Sequence, residues 1–186
     1  MIGASGYNAR KAAQATAFFA LKEGGSINVL KVTKLLYLAE REFMDRYDEP
    51  MFYDRFVSMD HGPVPSTTLS LIDGCADDPE WSKHISGREG YNVGLASIDI
   101  SFESLDELSN ADKNVLNFLW DKFGGFDRYE IRDYTHHNCP EWENPKGTSH
   151  PISHESVFKF LNKKNGAELS KDIDEHRNLA NIFASA

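Results

Sequence analysis

The stretch SINVLKVTKLLYLAEREFMDRY, residues 26–47, constrains the fold more than any other part of the chain. Val32, Leu36, Ala39, Phe43 and Tyr47 recur every three to four residues and draw one apolar stripe along a helix. Leu35 and Leu38 widen that stripe, as expected of a helix near the centre of a core. Lys34, Tyr37 and Arg41 form a second, amphipathic line on a neighbouring face. Such a line reads first as a solvated helix face. A tyrosine flanked by cations also suits an interface, so the three residues are candidates for partner binding.

Further helices are expected around this one. Residues 8–22 carry Ala12, Ala15, Phe18, Phe19 and Leu21 at near-helical spacing and stop at Gly24-Gly25. SNADKNVLNFLWDKFGG places Ser109 three residues before Asp112, an approximate capping box, and builds a face from Leu116, Leu119, Trp120 and Phe123. DRYEIRDYTHH predicts a shorter helix with Ile131 and Tyr134 turned inward. SHESVFKFLNKK and residues 170–186 continue the helical character, the latter through Ile173, Leu179, Ile182 and Phe183, a stripe read as core packing. STTLSLIDG suits a short helix with Ser66 as its N-cap.

Strand signals are few. PMFYDRFVSMD alternates Phe52, Asp54, Phe56 and Ser58 against Met51, Tyr53, Arg55 and Val57. Residues 81–97, WSKHISGREGYNVGLAS, read as a weak hairpin. The fold class is therefore mainly α: a compact helical domain with a small β-strand or hairpin element. No linker or repeat divides the 186 residues, so one domain over 1–186 is expected.

Composition excludes several functions. A formal net charge of −9 repels phosphate backbones and argues against non-specific nucleic-acid binding. No run approaches the roughly 20 apolar residues that span a bilayer. The first residues, MIGASGYNARKAAQ, lack the apolar core of a signal peptide, which leads to a cytoplasmic expectation without membrane partners. Cys75 and Cys139 are far apart and read as free thiols.

Candidate chemistry centres on two places. FVSMDHGPVP, residues 56–65, could orient His61 as a base, but Asp60 beside it in sequence proves no geometry. The structural reading is stronger: Gly62 permits an unusual backbone angle while Pro63 and Pro65 fix theirs, making a rigid turn that presents His61. THHNCPEW and HPISH supply His136, His137, Cys139, His150 and His154 as possible metal ligands. Their spacing does not match the paired pattern of a structural zinc site, so no metal and no cofactor is expected. No phosphate-binding glycine loop or nucleophile elbow occurs. Cys75 sits among acids, in DGCADD, a poor setting for a nucleophile. The carboxylates are too scattered to nominate an acid/base pair, and no catalytic residue is assigned.

Three separated blocks resemble one family. They are INVLKVTKLLYLAEREFM, MFYDRFVSMDHGPVPSTT and IRDYTHHNCPEW. Together they are similar to the Panacea domain, the SocA-like or GepA-like, phage-associated antitoxin domain, over about residues 12–142. The resemblance implies a mostly helical domain with a small strand element. It also implies an antitoxin, encoded beside a toxin that it neutralises by direct contact. Positions matching the family pattern are Lys34, Leu35, Leu36, Tyr37, Gly62, Pro63, Val64, Thr135, His136 and Trp142. Leu35, Leu36, Gly62, Pro63, Val64 and Thr135 are expected to be structural. Lys34, Tyr37, Arg41, His61, His136 and Trp142 are the partner-binding candidates. Two departures stand out: Glu141 intervenes between the proline and the tryptophan, and Asp60-His61 replace a more usual aromatic or polar pair. The helices over 153–186 are where members would differ in partner.

Three functions follow as expectations. The first is a non-enzymatic antitoxin bound to a cognate toxin encoded by an adjacent gene. The second is an adaptor, known from one branch of the family, that delivers the toxin to a protease. The third is a metal-dependent enzyme built on the histidine-rich carboxy-terminal third.

Overall fold

The computed structural model describes residues 6–184, leaving aside the side chains of residues 181, 183 and 184. Helix α1 (Ala9–Lys22) is capped by the Asn8 side chain, which accepts from the Lys11 amide. Strand β1 (Ser26–Asn28) follows, and Asn28 then caps helix α2 (Val29–Tyr47) by accepting from the amides of Leu30 and Lys31. The expected helix therefore starts after a short strand. Every residue from Lys31 to Ala39 is buried, together with Glu40, so α2 is the central element rather than an amphipathic surface helix. The far end of its stripe emerges: Tyr47 is exposed and its ring packs at a tilt against Phe43.

Strands β2 (Phe56–Met59) and β3 (Gly62–Pro65) pair as a tight antiparallel hairpin, Val57 opposite Val64. Proline cannot donate to a ladder, so Pro63 and Pro65 suit β3's place at the sheet edge. The sequence HGPVP is thus one strand of a hairpin whose turn lies at Asp60-His61, a refinement of the rigid-turn expectation. Helix α3 (Ser66–Ile72) and helix α4 (Pro79–Ser82) come next. Ser66 is the first residue of α3 rather than its cap. The hairpin expected over residues 81–97 appears only in part. Strand β4 (Asn92–Gly94) pairs with β1 instead, and isolated bridges join Ile85 to Leu95 and Glu89 to Asn92.

Helix α5 (Asn110–Phe123) carries the capping box of Ser109 and Asp112, and helix α6 (Arg128–Asn138) carries one from Asp127 and Glu130. Both α5 and α6 pack on α2. Strand β5 (His150–Ile152) completes a three-stranded sheet in the order β3-β2-β5. Helices α7 (His154–Phe160) and α8 (Gly166–Ala184) pack on each other. The carboxy-terminal stripe is only partly core: Ile173 is buried, whereas Leu179 and Ile182 are exposed. Phe183's side chain and residues 185–186 lie outside the described residues. Mainly α with a small β element is the architecture observed. Among the described residues no helix is long and apolar enough to cross a membrane.

Candidate functional site

The family-like positions converge on one buried seam between α2, the β2–β3 hairpin and the segment 135–143. Lys34 reaches across from α2 and donates to the Pro63 carbonyl at 2.9 Å. Its side chain has no solvent-accessible surface, and burial lowers its pKa from the ordinary lysine range to about 7. A proline-bearing edge strand leaves carbonyls without a ladder partner, and the lysine supplies a donor to one of them. Gly62 makes this approach possible. Its φ of +98° belongs to the left-handed region, and a Cβ there would come within 2.9 Å of Thr135 Oγ1 and 3.1 Å of Lys34 Cε.

One turn along α2, Tyr37 donates its hydroxyl to Glu141 Oε1 at 2.6 Å, and Arg41 Nε donates to the same oxygen at 2.7 Å. The Tyr37 ring meets Phe56 edge-on, with centroids 5.2 Å apart. Glu141, the residue that departs from the family spacing, is therefore the acceptor that ties the segment after α6 to α2. The line Lys34, Tyr37, Arg41 is not a solvated face. The first two are fully buried and the third is ion-paired to a buried carboxylate. In this conformation neither Lys34 nor Tyr37 reaches a surface that a partner can touch.

His136 lies flat on Trp142, with ring centroids 4.0 Å apart and planes 7° from parallel. The Trp142 indole donates to the Met59 carbonyl at 2.9 Å, and the Glu143 amide donates to Ser58 Oγ. Burial and the nearby Lys34 ammonium depress the His136 pKa. Thr135 is buried against Gly62 and donates to the Arg132 carbonyl. Leu35, Leu36 and Val64 are core residues. His61 alone among the partner-binding candidates is exposed, at the hairpin turn.

A second buried polar group, missed by sequence reasoning, sits behind this seam. Glu40 accepts from the amides of Met51, Phe52 and Asp54, and so gathers the loop between α2 and β2 around one carboxylate. That is why residues 51–54 are not strand, although Phe52, Asp54, Phe56 and Ser58 are buried as their alternation implied. Burial raises the Glu40 pKa to about 8 against the opposing pull of those amides. Asp54 extends the relay by accepting from the amides of Thr67 and Thr68 and from the Thr68 hydroxyl, so it caps α3 in Ser66's place. Arg177 on α8 donates to the carbonyls of Tyr53 and Asp54. The only signal for Glu40 was its position among apolar residues of the central helix.

The histidine and cysteine candidates do not assemble. Among the described residues no group of three or more His, Cys, Asp or Glu side chains is placed to hold a metal. Cys139 is buried in the seam, which pushes its thiol up to about 12, and Cys75 is exposed and free. His154 packs against Phe56, and burial lowers its pKa to about 3. His137 and His150 are exposed.

The polar groups of the seam are directed at backbone, at one another or into packing. The family model described as "Antitoxin SocA-like, Panacea domain" matches residues 32–143, and the chain belongs to that family. The matched span runs from α2 to the residue after Trp142, so it contains the whole seam, while α1, α7 and α8 lie outside it. Membership supports an antitoxin-type role. No curated protein and no solved structure matches the chain significantly.

Proposed function

We propose that this protein is the antitoxin of a toxin–antitoxin pair, acting in the cytoplasm by direct protein–protein contact with a cognate toxin encoded by an adjacent gene. The observation that carries this reading is the family match over residues 32–143. The seam supports binding without turnover, because its lysine, tyrosine and carboxylates are committed to holding backbone and one another. The net charge of −9 supports it too: an acidic surface accelerates encounter with a basic partner by long-range attraction.

Co-expression with each neighbouring gene product tests the proposal. One neighbour should arrest growth alone, grow normally with this protein, and co-purify with it at an unchanged level. A toxic neighbour whose level falls in its presence would point to the adaptor mechanism instead. Failure to rescue growth from any toxic neighbour would overturn the antitoxin reading.

A further inference from the structure

A cavity of about 660 Å³ opens between the amino-terminal ends of α2 and α6, the β2–β3 turn and the loop carrying Arg88 and Tyr91. We propose that this cavity is where the toxin docks, and that it receives a carboxylate-bearing loop or chain terminus of the toxin against Arg128. The inference rests on the antitoxin reading and names its contact surface.

Four observations point to this occupant. First, Arg128 has no carboxylate ion pair among the described residues, a condition it shares with Arg55 and with Arg177, which is spent on backbone carbonyls, whereas Arg10, Arg41, Arg46, Arg88 and Arg132 are all ion-paired. It is held instead by aromatic groups, lying 4.7 Å from the Tyr129 ring centroid and 5.9 Å from that of Tyr91, and donating to the Tyr129 hydroxyl. Second, Arg128 is the first residue of α6, where the positive end of the helix dipole disfavours a cation. The amino-terminal end of α2 lines the same cavity, so two helix dipoles and a free guanidinium face one space in a chain whose net charge is −9.

Third, the acids nearby are already engaged. Asp73 pairs with Arg88, Asp60 accepts from the Gly147 amide, and Asp127 caps the amides of Tyr129 and Glu130. Fourth, the rim is built of large side chains left in solvent: Tyr91 is 73% exposed, Tyr129 47% and Met59 37%. A small anion inside the cavity would leave these rings uncovered, whereas a protein segment would bury them. Tyrosine, methionine and arginine are also the residue types enriched in interface cores. Lys34 lies beneath the floor with no exposed surface of its own, adding buried basic character. The two electrostatic signs divide the work. The acidic surface attracts a basic partner from a distance, and one local patch of opposite sign fixes register on contact.

Arg128→Glu separates docking from folding. It removes no ion pair and places an anion at a helix amino terminus, so the melting temperature should hold or rise. Binding of the toxic neighbour that wild type neutralises should weaken about tenfold or more, with loss of growth rescue, while Arg128→Lys retains most of both. Tyr129→Ala should weaken binding by about tenfold. Glu168→Lys on α8 is the control and should bind as wild type. Unchanged binding by both Arg128→Glu and Tyr129→Ala would overturn the docking proposal and leave the antitoxin reading standing. So would a nucleoside triphosphate in excess that blocks toxin capture by occupying the cavity, since the occupant would then be a small anion. Wild type that neutralises no neighbour would remove the antitoxin reading and this inference with it.

Discussion

The seam beneath α2 and the cavity at its amino-terminal end are neighbours, with Lys34 at the boundary, yet they treat polar groups in opposite ways. In the seam and the carboxylate group behind it, Lys34, Tyr37, Glu141, Glu40 and Asp54 are buried and each has a partner. At the cavity mouth, Arg128 lacks a carboxylate and two tyrosines stand in water. Burying polar groups is tolerable only when they are satisfied, which makes the seam rigid and intolerant of change. Exposed aromatic and cationic groups contribute little to folding, so their arrangement is free to serve recognition. The difference teaches that the family-like motif holds the shape, which leaves contact, on the docking proposal, to the surface beside it.

Substitutions in the seam should therefore cost stability and spare partner affinity in the folded fraction. The largest effect is expected at Glu40→Leu, which leaves three amides without an acceptor. A loss of about 4 kcal/mol, read from urea midpoints, is the expected outcome. Gly62→Ala forces a side chain into left-handed backbone and against Thr135 and Lys34, at about 3 kcal/mol.

Acidification gives the next. The folded pKa of His154 lies near 3, below the ordinary 6.5, so the neutral ring's contribution is present above pH 6.5 and is lost as pH falls toward 3. Glu40 acts in the opposite sense, its contribution being lost as pH rises from 4.5 through about 8. Comparing wild type with His154→Leu isolates the histidine: between pH 7 and 5 wild type should lose about 2 kcal/mol more than the variant. Equal losses would show that His154 is protonated in the fold. Tyr37→Phe is the mildest test. It removes one hydrogen bond to Glu141 while Arg41 still holds that carboxylate, and should cost about 1 kcal/mol. A seam variant that kept full stability but lost toxin binding would collapse the contrast between the two regions.

Much of the fold was legible in the sequence because its helices obey local rules. The capping box at Ser109 and Asp112, the apolar faces of α2 and α5, and the alternation at Phe52, Asp54, Phe56 and Ser58 all record burial directly. The site was less legible. Lys34, Tyr37 and Arg41 share a helix face, and spacing alone cannot tell whether that face meets water or a buried glutamate 100 residues away. Glu40 looked like one more helix-forming residue, because nothing local announces that the loop at 51–54 wraps around it. The exposure of Leu179 and Ile182 likewise depends on where α8 lies against α7, which periodicity does not encode. His136 and His154 were grouped by proximity in sequence, but one stacks on Trp142 and the other packs on Phe56.

The most direct test of the account is amide hydrogen exchange of the chain alone and bound to its toxin. New protection should appear at the cavity mouth, around residues 59–61, 88–91 and 128–130. The amides held by Glu40 and Asp54 should be protected equally in both states. Protection confined to α7 and α8, with the mouth unchanged, would contradict it.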